Sequence, residues 1–160
     1  MEVNTRIQVE NGVSARIARV NGQEVDLIAE QIRIGLGQPL GYGQEDITFE
    51  GVGIEYRLIA EDPDNRFTPW VGRIDAFGWP EEDWARMYTH VPTEEPYDIP
   101  TEFDPNLALA IIWGKDLEEV KRRGVSFLEG LTLQGQNKAG DELRSNVNFL
   151  RDNTGRILRF

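Results

Sequence analysis

A continuous apolar run in the second half of the chain constrains the fold most. It extends from Leu107 to Trp113 and ends at Gly114. A short apolar run bounded by a glycine is typical of a β-strand that is buried on both faces. The sequence therefore predicts one strand that lies in the interior of the domain.

A second strand region is predicted from Ile47 to Glu61, with a break at Gly51. Side chains of a strand alternate between its two faces. One face is apolar and carries Val52, Ile54, Tyr56, Leu58 and Ala60. The other face carries the ionisable residues Glu55, Arg57 and Glu61. That polar face fits either an exposed antiparallel strand with an ion pair or a functional surface.

The rest of the sequence contains both helix and strand patterns. Arg19 to Gln23 predicts a turn or hairpin tip, and Val25 to Leu36 has the apolar spacing of an amphipathic helix that stops at Gly37. Short strands and loops are predicted between Arg66 and Asp104. A later helix begins after Asp116, with Gly124 and Gly130 as possible interruptions, and a final helix runs from about Gly140 to Arg151. Strands and helices in this order indicate an α+β domain.

Composition narrows the chemistry. The 160 residues are enough for one domain with its own core. The net charge of -11 argues against binding to nucleic acid or to an anionic membrane surface. Cysteine is absent, so disulfides, thiolate nucleophiles and zinc–sulfur sites are excluded. A bound metal would need mainly oxygen ligands, which magnesium and manganese prefer. No apolar run approaches the roughly 18 residues of a membrane span, and a cytoplasmic location is the default expectation.

The first ten residues carry a second unusual pattern. Read as a strand, Met1 to Glu10 would place Val3, Thr5, Ile7 and Val9 on one face. The opposite face would carry Glu2, Asn4, Arg6, Gln8 and Glu10. This row is compatible with a solvated strand face, but it contains only groups suited to holding a metal, an oxyanion or a proton. It also predicts a binding site.

Three segments resemble the C-terminal part of biotin carboxylase, the ATP-grasp component of biotin-dependent carboxylases. Residues 4–10 resemble the end of the ATP-grasp signature of that family. Residues 54–63, with Phe67, Pro69 and the stretch 72–74, are similar to the opening of its C-terminal subdomain. Residues 143–150 resemble a helix start near the end of that subdomain. The resemblance implies a remnant of the last ATP-grasp strand and helix at 1–46 and the C-terminal subdomain at 47–160.

The resemblance also implies roles for individual residues. Such enzymes use MgATP, or the manganese complex, to activate bicarbonate, and they carboxylate biotin attached to a carrier protein. Glu2 and Asn4 correspond to metal-site residues, whose oxygen atoms suit a hard divalent ion. Arg6 corresponds to the residue that holds bicarbonate, supported by Gln8 and Val9, and a planar guanidinium suits a planar oxyanion. Glu10 corresponds to the general base. Arg57 corresponds to the residue that stabilises negative charge on the biotin ureido oxygen.

The same resemblance implies partners and a missing part. The nucleotide-binding lobes of the family precede the matched region, so the chain is expected to be a fragment that is inactive alone. Its expected partners are those upstream lobes, the biotin carboxyl carrier protein and a carboxyltransferase, with a possible homodimer. The departures from the family pattern, such as Asn11–Ala15 and the extra residues around Arg19 to Gln23, indicate a divergent branch.

A second hypothesis is a non-catalytic interaction domain of the same fold. It would bind another carboxylase subunit through loops that contain Trp70, Trp79 and Trp84. Aromatic rings of this kind also pack in cores and at subunit contacts, so the sequence leaves both hypotheses open.

Overall fold

The computed structural model describes residues 3–102 and 104–157. The helices are α1 (Asn11–Ile17), α2 (Leu27–Gly35), α3 (Leu117–Glu129) and α4 (Val147–Ile157), with 3₁₀ turns at Gln44–Asp46 and Pro63–Asn65. The strands are β1 (Ala18–Val20), β2 (Gln23–Glu24), β3 (Ile47–Phe49), β4 (Val52–Ile59), β5 (Glu61–Asp62), β6 (Thr68–Pro69), β7 (Arg73–Gly78), β8 (Ala85–Thr89), β9 (Tyr97–Asp98), β10 (Asn106–Gly114) and β11 (Thr132–Gln136). The predicted α+β class is confirmed. Among the helices described, none has the length and apolar character that crossing a bilayer requires.

Strand β10 lies at the centre of an antiparallel sheet in the order β4-β10-β8. Ala108, Ala110 and Ile112 face the main core, on the side covered by α3. On the opposite side α1 covers the sheet, and a Cβ atom built on Gly12 would lie 3.1 Å from Ile111 Cδ1. Ile111 itself is 1% exposed. The prediction of a strand buried on both faces is therefore confirmed.

The alternation predicted for β4 is also confirmed. Tyr56 and Leu58 are buried in the core, 5% and 0% exposed, and Tyr56 pairs with Ala110 of β10. The break at Gly51 separates β3 from β4, and its φ of 72° is in the left-handed region that favours glycine. The same register places Glu55 and Arg57 on the opposite face, which α1 partly covers.

Two further three-stranded sheets and one two-stranded pair complete the described part of the chain. β1 pairs with β2 and β3, and β7 pairs with β11 and β9, all in antiparallel fashion. The β1–β2 connection is the predicted hairpin tip: Asn21 and Gly22 have φ values of 50° and 78°, as a type I′ turn requires. β5 and β6 form a separate pair. Because β3 pairs with β1, residues on both sides of position 46 share one sheet, and the domain boundary there stays a prediction.

The predicted helix at 25–36 is confirmed in slightly shorter form as α2. The Asp26 carboxylate accepts hydrogen bonds from the backbone N–H groups of Ile28 and Ala29, at 3.0 and 2.9 Å, and thereby caps its first turn. The expected stop is also present, since Gly37 has a φ of 78°. Asp116 caps α3 in the same way, through the Glu119 N–H at 2.8 Å.

The predicted strand at the beginning of the chain is wrong for residues 3–10, which contain no strand. A strand needs a neighbour for its backbone hydrogen bonds, and none of the described strands pairs with this segment. The backbone instead turns at Val9 and Glu10, where the Asn11 N–H donates to the Gln8 carbonyl at 3.1 Å. Asn11 begins the first turn of α1. Met1 and Glu2 lie outside the described residues.

The expected start of the last helix is also wrong. The last helix begins at Val147 instead of near Gly140, because the preceding residues extend the β7–β11 sheet: Gln136 bridges to Glu142, and the Leu143 N–H donates to the Gly135 carbonyl at 2.9 Å. Strand β11 itself was not predicted. Helix α3 continues through Gly124 without interruption.

Gly124 is required by packing. A Cβ atom at this position would lie 2.2 Å from the Tyr56 hydroxyl, which forms a 3.0 Å hydrogen bond with the Thr154 hydroxyl of α4. The Tyr56 ring therefore passes under α3 to reach α4. Burial raises the pKa of the Tyr56 hydroxyl above its ordinary value, which keeps the group protonated.

We expect Gly124→Ala to destabilise the domain by about 1–3 kcal/mol, because the added methyl group overlaps Tyr56. Gly155→Ala is the matched control in α4, where nothing lies within 4 Å of the new methyl group. It should stabilise the domain by about 0.5–1 kcal/mol through helix propensity. Urea unfolding of the two variants measures both effects. A Gly124→Ala variant as stable as the parent would contradict the packing argument.

Candidate active site

The outward face of β4 carries the two charged side chains at the centre of the candidate site. Glu55 and Arg57 are two residues apart on one strand, so they point to the same side, and the Glu55 carboxylate accepts from Arg57 Nε at 3.1 Å. The Glu55 side chain is only 7% exposed, whereas that of Arg57 is 46% exposed. Glu55 thus holds the inner part of the guanidinium and leaves its outer nitrogen atoms at the surface.

Glu10 reaches the same guanidinium from the turn before α1. Its Oε1 atom accepts a hydrogen bond from Arg57 Nη2, and its side chain is 53% exposed. The hydrogen bond to Glu55 is the main cause that raises the pKa of Arg57 above its ordinary value, with further contributions from the charge of Glu10. Two of the three residues predicted to be catalytic, 47 positions apart in sequence, therefore lie in direct contact.

The other predicted site residues lie in the irregular segment before Glu10. Arg6 donates from Nη1 to the Ile7 carbonyl at 3.2 Å. The Gln8 carbonyl accepts from the Asn11 amide at 2.9 Å, and Val9 lines a cavity beside α1. Asn4 is an exposed residue of the same segment.

The alternation that was expected to align these residues with Glu10 is therefore not present, although all of them precede the same turn. Their assigned roles stay predictions. The metal prediction at Glu2 falls outside the described residues.

A metal site is not formed by the described residues alone. Within 3–102 and 104–157 no group of three or more carboxylate or histidine side chains is arranged to hold an ion. Asn4 supplies one amide oxygen, and the divalent ions expected here take several oxygen ligands. The described part of the chain therefore does not fit a complete magnesium or manganese site.

Asn146 fixes the end of β4 and was not assigned a role from the sequence. It is 5% exposed; its Oδ1 atom accepts from the Ile59 N–H at 2.9 Å, and its Nδ2 atom donates to the Arg57 carbonyl at 3.0 Å. The backbone of Arg57 is thereby anchored to the residue just before α4. The only sign of this role in the sequence is that Asn146 belongs to the family-like segment 143–150. Such a local signal cannot show a contact between residues 89 positions apart.

A cavity of about 530 Å³ lies next to the site, between α1, the first turn of α2 and strands β8 and β10. Its apolar lining includes Val9, Val25, Leu27, Ile28, Leu109 and Ile111. Arg16, Arg86, Glu24 and Asp26 also line it, and Arg16 forms an ion pair with Glu24. Burial, with smaller contributions from Arg86 and Arg19, lowers the pKa of Arg16 below its ordinary value, and the charge of Glu24 opposes this shift.

The tryptophan residues of the interaction-domain hypothesis are not exposed anchors. Trp70 is 8% exposed, and Trp79 and Trp84 pack against the core. The Trp84 ring contacts the Phe127 ring at 6.3 Å and lies 5.3 Å from the Arg123 guanidinium. These rings contribute to the interior of the domain, as the packing alternative predicted.

Known proteins share the fold of this chain. Residues 55–152 match the family model of the biotin carboxylase C-terminal domain. The chain is 42% identical over 126 residues to the chloroplastic biotin carboxylase of Arabidopsis thaliana, a match that covers 76% of this chain and 22% of that protein. It is 38% identical over 135 residues to the 2-oxoglutarate carboxylase small subunit of Hydrogenobacter thermophilus, covering 84% of this chain and 27% of that protein.

A solved structure extends the similarity to nearly the whole chain. The biotin carboxylase domain dimer of the Hydrogenobacter thermophilus 2-oxoglutarate carboxylase, crystallised with MgADP, ADP and bicarbonate, superposes with a TM-score of 0.82 at 32% identity. The match covers 98% of this chain and 32% of that one. The fold and the matched residues define a C-terminal domain of the biotin carboxylase type. This chain belongs to the biotin carboxylase family, and it spans about a quarter of the length of the curated relatives named above.

We expect Asn146→Ala to lower the free energy of unfolding by about 2–4 kcal/mol, because it leaves the Ile59 N–H and the Arg57 carbonyl without their partner. Asn148→Ala, two positions later and exposed, is the control and should change stability by less than about 0.5 kcal/mol. Chemical denaturation measures both. Equal effects of the two substitutions would show that Asn146 does not anchor β4.

We expect Glu55→Gln to release the Arg57 Nε proton, because a neutral amide accepts a weaker hydrogen bond than a carboxylate. Exchange of that proton with water, followed by ¹⁵N NMR, should accelerate about fivefold. Glu10→Gln is the control: it alters the contact at Nη2 and should leave Nε exchange nearly unchanged. If Glu10→Gln had the larger effect, Glu55 would not be the residue that holds the guanidinium.

Proposed function

We propose that this chain is the C-terminal part of a biotin carboxylase that uses MgATP and bicarbonate to carboxylate carrier-bound biotin. The observation that carries the proposal is the contact between Arg57 and Glu10, which joins the predicted charge-stabilising residue to the predicted base. The related domain from Hydrogenobacter thermophilus that was crystallised with MgADP and bicarbonate supports the same chemistry.

In the proposed reaction each residue has a distinct task. Arg6 holds bicarbonate, with help from Gln8 and the backbone of Val9, and Glu10 accepts the proton of bicarbonate. When bound, MgATP would supply the phosphoryl group that activates bicarbonate as carboxyphosphate, with ADP as the leaving group. Phosphate would then leave as the carboxyl group passes to N1 of biotin, and it would take up the N1 proton. Arg57 stabilises the negative charge that develops on the ureido oxygen of biotin as its N1 atom becomes the nucleophile.

The exposure of the Arg57–Glu10 pair suits these tasks. An ion pair between two half-exposed side chains is weak, so a small anion or a ureido oxygen can displace Glu10 from Arg57 at low cost. Glu55 keeps its contact with Nε during that exchange, because its carboxylate is buried and contacts a different nitrogen atom of the guanidinium. The arrangement supports a guanidinium that is fixed in place and has a replaceable outer partner.

The proposal also covers the metal site, the division of the chain into two parts and the partner proteins. Glu2 and Asn4 would contribute to a magnesium or manganese site completed by upstream residues. The segment 1–46 would complete the ATP-grasp region and 47–160 would form the C-terminal subdomain. The partners would be the upstream lobes, a biotin carboxyl carrier protein and a carboxyltransferase, in a cytoplasmic enzyme that can form a homodimer.

A complementation experiment tests the catalytic assignment. The chain is mixed with the preceding part of the Hydrogenobacter thermophilus 2-oxoglutarate carboxylase small subunit, and bicarbonate-dependent ATP cleavage is measured with free biotin. We expect activity in the mixture and none with the isolated chain, because the groups that position ATP are supplied by the added part. Arg6→Ala, Glu10→Ala and Arg57→Ala should each reduce the rate at least about 100-fold.

Arg122→Ala, which removes an exposed guanidinium on α3, is the matched control and should leave the rate unchanged. Activity that survives the Arg6 and Glu10 substitutions would refute their catalytic roles. Turnover by the isolated chain would refute the proposal that it is incomplete. A complex that assembles but never cleaves ATP would favour the non-catalytic interaction domain.

A further inference from the structure

Helix α1 is a short helix that directly follows the predicted base. It spans seven residues, none of which is fully buried, and Glu10 precedes it as the N-cap residue. The Glu10 side chain makes no capping hydrogen bond to the helix and contacts Arg57 instead. A helix of this length is marginal without tertiary contacts. The position of Glu10 therefore depends on what attaches α1 to the rest of the domain.

Arg16, in the last turn of α1, makes several of these attachments with one side chain that is 11% exposed. Its Nη1 atom forms an ion pair with Glu24 of β2, and its Nη2 atom donates to the Asp83 carbonyl, just before β8, at 2.7 Å. Its Cζ atom lies 5.8 Å from the centre of the Trp113 ring of β10, within the range of a cation–π contact. The C-terminal end of α1 is thus attached to three separate parts of the domain.

The ring that Arg16 contacts is itself held from two directions. The Trp113 Nε1–H group donates to the Glu50 carbonyl at 2.9 Å. Arg123 of α3 donates to the Trp113 carbonyl at 2.9 Å, and its Cζ atom lies 5.6 Å from the centre of the same ring. Arg123 is 19% exposed, so it resembles Arg16 in burial and in the ring that it contacts, but it belongs to a different helix.

The burial of Arg16 costs free energy. Its Nε atom is buried and has no hydrogen-bond partner among the described residues. A buried donor without an acceptor is unfavourable, and apolar side chains often replace a buried ion pair without loss of stability. Stability alone therefore gives little reason for an arginine at this position. A guanidinium with contacts in three directions does, however, restrict α1 to one orientation on the domain.

We propose that Arg16 is a positioning residue, which fixes the C-terminal end of α1 and thereby holds Glu10 against Arg57. Six positions separate Arg16 from Glu10, or about 9 Å along a helix, so a tilt of α1 at one end displaces the other. Between them Gly12 packs against Ile111, whose Cδ1 atom would lie 3.1 Å from a Cβ atom built on the glycine. The inference rests on the proposed function for the role of Glu10 as a base, but the position of Glu10 can be measured without turnover.

Nitrogen-15 NMR of the 160-residue chain measures that position through the Arg57 guanidinium. We expect Arg16→Met to accelerate exchange of the Nη2 protons of Arg57 with water about fivefold, because Glu10 no longer stays in contact with them. Exchange at Nε, which Glu55 holds, should not change. Arg123→Met is the matched control and should alter neither nitrogen atom.

A milder substitution covers the case in which Arg16→Met does not fold. Glu24→Gln removes only the ion pair with Arg16 and should accelerate Nη2 exchange of Arg57 about twofold, again without an effect at Nε. A loss of thermal stability in either variant without any change at Nη2 would show that Arg16 has only a structural role, and would overturn the proposal.

The complementation mixture gives the second measurement. Arg16→Met should lower kcat about tenfold and leave KM for bicarbonate within about twofold, because a displaced base slows the chemical step more than it weakens binding. Arg123→Met should leave both constants within about twofold. In a Glu10→Ala background Arg16→Met should cause no further loss, since it acts through Glu10.

The outcomes separate this inference from the proposed function. An equal loss of rate in the parent and in the Glu10→Ala background would refute positioning through Glu10. If the mixture shows no turnover with any variant, the proposed function fails, and Nη2 exchange of Arg57 alone decides whether Arg16 sets the position of Glu10.

Discussion

The antiparallel pairing of β4 with β10 determines which side chains of β4 enter the core and which face α1. The register runs from Val52 opposite Gly114 to Ile59 opposite Asn106. It places Tyr56 and Leu58 in the core and Glu55 and Arg57 on the other side, and a slip of one residue would exchange the two sets. The burial of β10 on both faces makes such a slip costly, so the position of the Arg57 guanidinium depends on packing far from the site.

The Arg57 guanidinium has one buried contact, with Glu55, and one exposed contact, with Glu10. Glu55 is almost fully buried and holds Arg57 at Nε, and Asn146 anchors the backbone of the same residue. Glu10 forms an exposed contact, and exposed ion pairs contribute about 0–1 kcal/mol. Stability therefore depends mainly on the buried side of the arginine.

The apolar surface of α2 and the irregular residues 3–10 belong to the same region of the molecule. Both expose side chains that are normally buried, and both border one cavity. The domain core, in contrast, is closed by α3 and α4 and needs no partner for its packing.

The sequence by itself determined the features that depend on local patterns. The alternation in 52–61, the apolar run 107–113, the Asn21-Gly22 turn and the Asp116 cap were all predictable, because each depends on neighbouring residues and their backbone preferences. The family-like segments also pointed to Glu10 and Arg57 individually, but not to the contact between them. Tertiary structure decided the rest. Residues 3–10 are not a strand, because a strand needs a neighbouring strand to pair with. Helix α4 starts later than predicted because the preceding residues pair with β11. Asn146 contacts β4 over 87 positions, and only the folded chain brings these residues together.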